Sequence, residues 1–154
     1  MSKKYKWEIN ELSAANSLKE SAVLILKQRL QCVRTAVKNY FDEETAENLH
    51  ETRIAIRRLR YNMEIFISCF NKAKFIAFYQ LVEQLQDMTG TKRDLDVLQE
   101  NIKNICSGEN NFKFNSILDQ VREKDKQLHE SLILELMKFT HSKELKEFNK
   151  MLLL

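Results

Sequence analysis

The sequence predicts an all-α protein, an antiparallel bundle of about five to six helices. The 154 residues include no proline and only two glycines, so long helices can run with few built-in breaks. Apolar residues recur at helical spacing through most of the chain. The length suits one domain, and we expect residues 1–16 to form an N-terminal arm and residues 17–154 a single bundle.

The first two predicted helices have recognisable starts. Ser17 and Glu20 form a capping box, in which each side chain satisfies a first-turn amide, and helix 1 is expected over residues 18–41. The polar residues 42–45 then end helix 1. They also supply a cap and first-turn acids for helix 2, which we expect to end near Phe70.

The rest of the chain predicts four further helices. Helix 3 follows a short turn at residues 71–72, and Gly90 is interpreted as the left-handed residue that ends it. Thr91 then begins helix 4. A loop at residues 106–111 precedes helix 5, expected over residues 112–140, and a short amphipathic helix 6 follows it.

The composition limits the function classes. The formal net charge is only +3, because 25 basic residues are nearly matched by 22 acidic ones, so any anion-binding surface must be local. The three cysteines include no close pair that suits a zinc site or a redox dithiol. Neither a signal-peptide core nor a membrane-spanning apolar run is found. We therefore expect a cytoplasmic protein without membrane association, cofactor or metal.

Helix 2 carries a concentration of cations. Successive helical residues turn by about 100°, which places four basic residues on one side of this helix, here called the basic stripe: His50, Arg53, Arg57 and Arg60. Arg58 lies apart from it. Like charges at this spacing repel by roughly a few tenths of a kcal/mol per pair. An ordinary solvated face, carboxylates from neighbouring helices, or a polyanionic ligand could explain the pattern, and guanidinium groups suit phosphate oxygens.

A second motif points to the same chemistry. If Thr91 caps a helix and Asp94 occupies the reciprocal capping position, Lys92 and Arg93 fall in the first turn. The helix dipole disfavours positive charge there, and an anion would relieve the conflict. Free first-turn amides beside two cations predict a phosphate site.

Two stretches resemble the CHAD family, the conserved-histidine α-helical domain: HETRIAIRRLR at residues 50–60 and, about thirty residues later, RDLDV at residues 93–97. The family hallmark is a helix of the form H-x-x-R-hydrophobic-x-hydrophobic-[RK]-R-L-R followed by R-D-x-D-V. The resemblance covers roughly residues 17–140. It implies one half of a CHAD domain, a helical bundle that binds inorganic polyphosphate without catalysis.

The resemblance also implies which residues bind. Those carried over by motif position are His50, Arg53, Arg57, Arg58, Arg60 and Arg93. The helix-start interpretation adds Lys92. Helical spacing adds four further candidates beside the groove, which are Lys27, Arg34, Arg122 and Lys126. Polyphosphate granules would then be a place of association within the cytoplasm.

One departure and two alternatives remain open. The usual family member is about twice this length and contains two similar halves, whereas this chain has one. Two chains could pair as a homodimer through the apolar C-terminus, which comprises Leu145, Phe148, Met151, Leu152, Leu153 and Leu154. The alternative functions are binding of nucleic acid or another phosphorylated ligand, and a histidine phosphotransfer module built on His50 and Arg53.

Overall fold

The computed structural model describes residues 9, 11–106 and 112–153. Within these residues the chain forms five α-helices and no strand. The helices are α1 (Leu18–Asp42), α2 (Ala46–Phe66), α3 (Lys72–Ile105), α4 (Phe112–His141) and α5 (Lys143–Met151). A 3₁₀ turn, Ile67–Cys69, links α2 to α3. The predicted all-α bundle is confirmed, although α2 ends in this turn and stops short of Phe70.

The helix starts follow local side-chain chemistry. The Ser17 amide donates to the Glu20 carboxylate at 2.7 Å, and the Glu20 amide donates to the Ser17 hydroxyl at 3.2 Å, so the predicted capping box is present. Thr45 caps α2 by accepting from the Asn48 amide at 3.1 Å. These contacts satisfy amides that the first turn of a helix leaves without partners.

The predicted break at Gly90 is wrong. The helix α3 continues through this residue, whose φ is not positive. The Thr91 hydroxyl donates to the Asp87 carbonyl at 3.0 Å, a bond of a helix interior and not of a cap. Glycine within a helix costs about 1 kcal/mol relative to alanine, but packing of α3 against α2, α4 and α5 outweighs that cost. No helix therefore begins at Lys92 and Arg93.

The core lies between the five helices. The helix α2 packs against α1 and α3, α3 packs against α4 and α5, and no contact joins α2 to α4 within the described ranges. Aromatic rings fill the part of the core nearest α5, where the rings of Phe78 and Phe148 stack with their centroids 4.2 Å apart. The interior thus depends on α5 as well as on the four longer helices.

The C-terminal residues that suggested a dimer surface mostly complete this core. Leu145, Phe148 and Leu152 are 4%, 0% and 2% exposed. Leu153 is exposed, and Leu154 lies outside the described residues. Burial within the chain thus accounts for Leu145, Phe148 and Leu152, which are not available for pairing, and the expected homodimer stays a prediction.

Truncating Phe148 should therefore destabilise the monomer. We expect Phe148→Ala to lower the free energy of unfolding by about 3–5 kcal/mol, because a fully buried ring is lost and a cavity remains. Leu153→Ala, at an exposed neighbouring site, should change it by less than about 0.5 kcal/mol. Urea unfolding followed by circular dichroism compares the two variants. Equal stabilities would contradict this account of α5.

Candidate anion-binding surface

The orientation of the basic stripe is fixed by the opposite side of α2. Leu49, Ile56, Leu59 and Met63 are all at most 2% exposed in the core. Among them, Thr52 is also buried, and its hydroxyl donates to the Asn48 carbonyl at 2.8 Å, which satisfies its donor. Because these residues occupy one side of α2, the cations must project from the other.

Three members of the basic stripe have no carboxylate partner among the described residues and are here called its open part. His50 and Arg57 are exposed and Arg53 is half-buried. Their side chains make no hydrogen bond or ion pair with any residue that the structure describes. Within the described residues, no carboxylate therefore forms an ion pair with these three cations.

The fourth member is compensated. The Arg60 guanidinium lies 3.1 Å from the Glu64 carboxylate and 3.3 Å from that of Glu83. Its Nε also donates to the Tyr79 hydroxyl at 3.0 Å, and this hydrogen bond raises the pKa of Arg60 above its ordinary value. For Arg60, the interpretation that neighbouring carboxylates balance the charge is confirmed. Its contacts with Glu83 and Tyr79 link α2 to α3.

Arg93 joins the open part of the stripe through the register of α2 and α3. Arg60 of α2 contacts Glu83 of α3. Arg53 lies seven residues before Arg60 on α2, and its side chain would meet a Cβ placed on Gly90, which lies seven residues after Glu83 on α3. The helices are therefore antiparallel, and three residues further His50 lies level with Arg93. Arg93 is half-buried and makes no side-chain hydrogen bond within the described residues.

The comparisons with known proteins bear on these two helices. The CHAD domain model matches residues 4–103, more than half of the 154-residue chain. This chain belongs to the CHAD family. The match includes both signature stretches and ends within α3, whereas the motifs suggested a range of roughly 17–140. No curated protein and no solved structure gives a match.

Lys92 of this CHAD protein is buried, with 7% of its surface exposed. Its ammonium group lies 2.6 Å from Asp96 and 2.8 Å from Asp125 of α4. Burial alone lowers the pKa of Lys92, but hydrogen bonds that its ammonium group donates to Asp125 and Asp96 outweigh it and raise the pKa above its ordinary value. The helix start that suggested Lys92 as a phosphate ligand does not exist, and its charge is already matched.

A second polar contact, not predicted from the sequence, lies in the same part of the bundle. The Tyr40 hydroxyl is 3.3 Å from His129 Nδ1, and His129 Nε2 is 2.7 Å from the Glu44 carboxylate. Tyr40 is 2% exposed, and its burial raises the pKa of its phenol. These contacts connect α4 to α1 and to the loop that precedes α2.

The remaining candidates lie on α1 and α4. Lys27 and Arg34 line a depression beside the C-terminal turn of α5. Arg122 lies 3.6 Å from Asp119, and Lys126 is exposed on α4. In the part of the chain that the structure describes, α4 packs against α3 and not against α2, so these four residues lie on helices other than the two that carry His50, Arg53, Arg57 and Arg93.

Arg58 faces α1, and its neighbour there, Arg29, was not among the residues predicted from the sequence. Both Arg58 and Arg29 line a groove of about 310 Å³ between α1 and α2. Arg29 Nε is buried without a hydrogen bond to the described residues. Its recurrence among the apolar positions of α1 is the sequence signal that could have identified it as partly buried.

Residues 9, 11–106 and 112–153 contain neither a metal-binding cluster nor a membrane-spanning helix. No group of three or more histidine, cysteine, aspartate or glutamate side chains there is arranged to hold a metal ion. None of the helices there has the length and apolar character needed to cross a bilayer.

Removing the Lys92 charge should destabilise the fold without affecting the surface. We expect Lys92→Met to lower the free energy of unfolding by about 3 kcal/mol, because Asp96 and Asp125 would lose their counter-charge. Lys126→Met, at an exposed site, should change it by less than about 0.5 kcal/mol. Comparable values for the two variants in denaturant unfolding would show that the buried ion pairs contribute little.

The same ion pairs predict a dependence on alkaline pH. The pKa of Lys92 is raised on folding, so its contribution to stability is complete below the unfolded pKa of about 10.4. It should be lost as the pH rises through the higher folded pKa. The difference in unfolding free energy between wild type and Lys92→Met should therefore be constant at neutral pH and shrink at strongly alkaline pH. A difference that grows there would contradict the assignment.

Proposed function

We propose that this protein binds inorganic polyphosphate, without catalysing a reaction on it, through His50, Arg53, Arg57 and Arg93. The observation that carries the proposal is that these neighbouring cations have no carboxylate partner among the described residues, although Arg60 and Lys92 are both matched. A bound polyanion would relieve the repulsion within the open part of the stripe. Membership of the CHAD family supports this ligand.

The chemistry of the side chains fits phosphate. A guanidinium group presents several donors in a planar fork, which matches two oxygens of one phosphate group. His50 is exposed beside the arginines, and its imidazolium form would add a further donor. The span from His50 to Arg57 is about 10 Å along α2 at the usual helical rise, so successive phosphate groups of one chain could meet different residues.

Nucleic acid is the alternative that this surface favours less. Proteins that bind single strands without sequence preference usually combine cations with aromatic side chains on which bases stack. The exposed aromatic ring nearest the open part of the stripe is that of Tyr61, one turn after Arg57 on the same side of α2, whereas Tyr79 is half-buried and its hydroxyl is held by Arg60 and Glu64. The negative charge of the backbone is thus the feature that this surface is suited to recognise.

The proposed binding unit is a single chain. Leu145 and Leu152, two of the leucines that suggested a homodimer, are buried within their own bundle, and the open cations all belong to α2 and α3 of one copy. The expected homodimer stays a prediction. Sedimentation with and without polyphosphate measures it.

The double variant Arg53→Ala/Arg57→Ala should weaken polyphosphate binding at least about tenfold, because two charge-assisted contacts are lost. Fluorescence anisotropy with labelled long-chain polyphosphate measures the affinity, and circular dichroism checks folding. Lys143→Ala/Lys146→Ala removes the same charge from exposed positions on α5 and should stay within about twofold of wild type. The slope of log affinity against log salt should fall by about two only for the arginine variant.

RNA and single-stranded DNA, tested at matched phosphate concentration, distinguish the alternative. Tighter binding of wild type to either nucleic acid than to polyphosphate would favour the nucleic-acid function. A folded arginine variant that binds polyphosphate as wild type does would refute the proposed surface.

A further inference from the structure

Gly90 lowers the stability of α3 relative to alanine at the same position. It lies well inside α3, where glycine is a poorer helix former than alanine because its backbone loses more freedom on folding. A glycine within a helix is usually explained by a positive φ or by close contact with a neighbouring backbone. Each explanation requires a feature at Gly90, either a positive φ or a neighbouring backbone atom close to the position of a Cβ.

Neither explanation applies to Gly90. Its φ is not positive, so an L side chain would meet no backbone strain. Apart from its chain neighbours and the backbone of its own helix, a Cβ added there would have one neighbour within 4 Å among the described residues, Nε of Arg53 at 3.9 Å, which is an ordinary van der Waals distance. No backbone atom of α2 approaches that closely, so the glycine is not needed to let the two helices pack.

The missing side chain does have a consequence for the open part of the stripe. It leaves a recess on α3 that is bordered by the Arg53 side chain. Arg93 follows less than one turn later on the same helix, and His50 is level with it by the register of α2 and α3. The recess thus lies among the cations that have no described partner.

We propose that Gly90 is a specificity-determining residue, whose recess lets a phosphate group of a linear, unbranched polyanion lie against the Arg53 guanidinium between α2 and α3. This inference rests on the proposed function. Interior amides of a helix already bond to carbonyls one turn earlier, so the recess contributes access to Arg53 and not backbone donors.

The recess also selects for the shape of the ligand. In inorganic polyphosphate, one bridging oxygen separates neighbouring phosphorus atoms, and no other group flanks them. In nucleic acid, a sugar flanks each phosphate on both sides and keeps it away from a recess one side chain deep. Filling the recess should therefore penalise polyphosphate more than RNA, which an overall loss of positive charge would not do.

The test compares Gly90→Leu with Thr91→Leu. Thr91 is exposed on the same helix, and its side chain points about 100° away from position 90, so this control adds an apolar side chain beside the recess without filling it. Affinities for long-chain polyphosphate and for RNA are measured by anisotropy at equal ionic strength. We expect Gly90→Leu to weaken polyphosphate binding about tenfold, as for one lost charge-assisted contact, and RNA binding less than about twofold. Thr91→Leu should match wild type for both.

Thermal unfolding supplies the second readout. Because alanine is the better helix former and its Cβ would meet Arg53 only at van der Waals distance, Gly90→Ala should raise Tm by about 2–4 °C. A lower Tm for Gly90→Ala would overturn the inference by showing that packing requires glycine. Equal losses of affinity in Gly90→Leu and Thr91→Leu would also overturn it.

The remaining outcomes separate this inference from the proposed function. If Gly90→Leu binds polyphosphate like wild type while Arg53→Ala/Arg57→Ala does not, the role of Gly90 is overturned and the proposed function stands. If wild type itself fails to bind polyphosphate, both are overturned.

Discussion

Burial of one side of α2 is the constraint on which the candidate anion-binding surface depends. Leu49, Ile56 and Leu59 are almost completely buried, and each such side chain contributes about 1.5–3 kcal/mol through the hydrophobic effect. Repulsion between neighbouring cations on a helix amounts to only about 0.2–0.5 kcal/mol per pair. The core therefore determines how α2 is rotated about its axis, and this rotation determines where the cations lie.

Given that rotation, the packing partners of α2 and α3 decide which cations stay open. Arg60 meets carboxylates because Glu64 follows one turn later and Glu83 lies opposite on α3. Lys92 meets two carboxylates because α4 places Asp125 beside it. Of the three explanations that the sequence left open, carboxylate partners therefore apply to Arg60, while for the open cations a solvated face and the proposed anionic ligand are left. A helical wheel of α2 alone cannot separate them, because the partners belong to other helices.

Local signals predicted α1 and the start of α2 correctly, since Ser17, Glu20 and Thr45 act within their own first turns. The break at Gly90 was wrong for the opposite reason. Glycine followed by threonine is a local stop-and-start signal, but the continuous packing of α3 between its neighbours overrides it. The motif spacing that identified Arg93 does not depend on a helix end, whereas the argument for Lys92 did. This difference explains why the two adjacent residues have such different surroundings.

The interface between α2 and α3 changes in character along its length. At Arg60, α3 contributes Glu83 and Tyr79, which neutralise and hold the guanidinium. Seven residues further along α3 stands Gly90, which contributes no side chain, and beyond it Arg93 contributes a second cation in place of an acid. The same pair of helices therefore closes one end of the stripe with carboxylates and leaves the other end positively charged. A linear polyanion would gain most at the end that contains His50, because only there does an incoming negative charge not compete with Glu64 or Glu83.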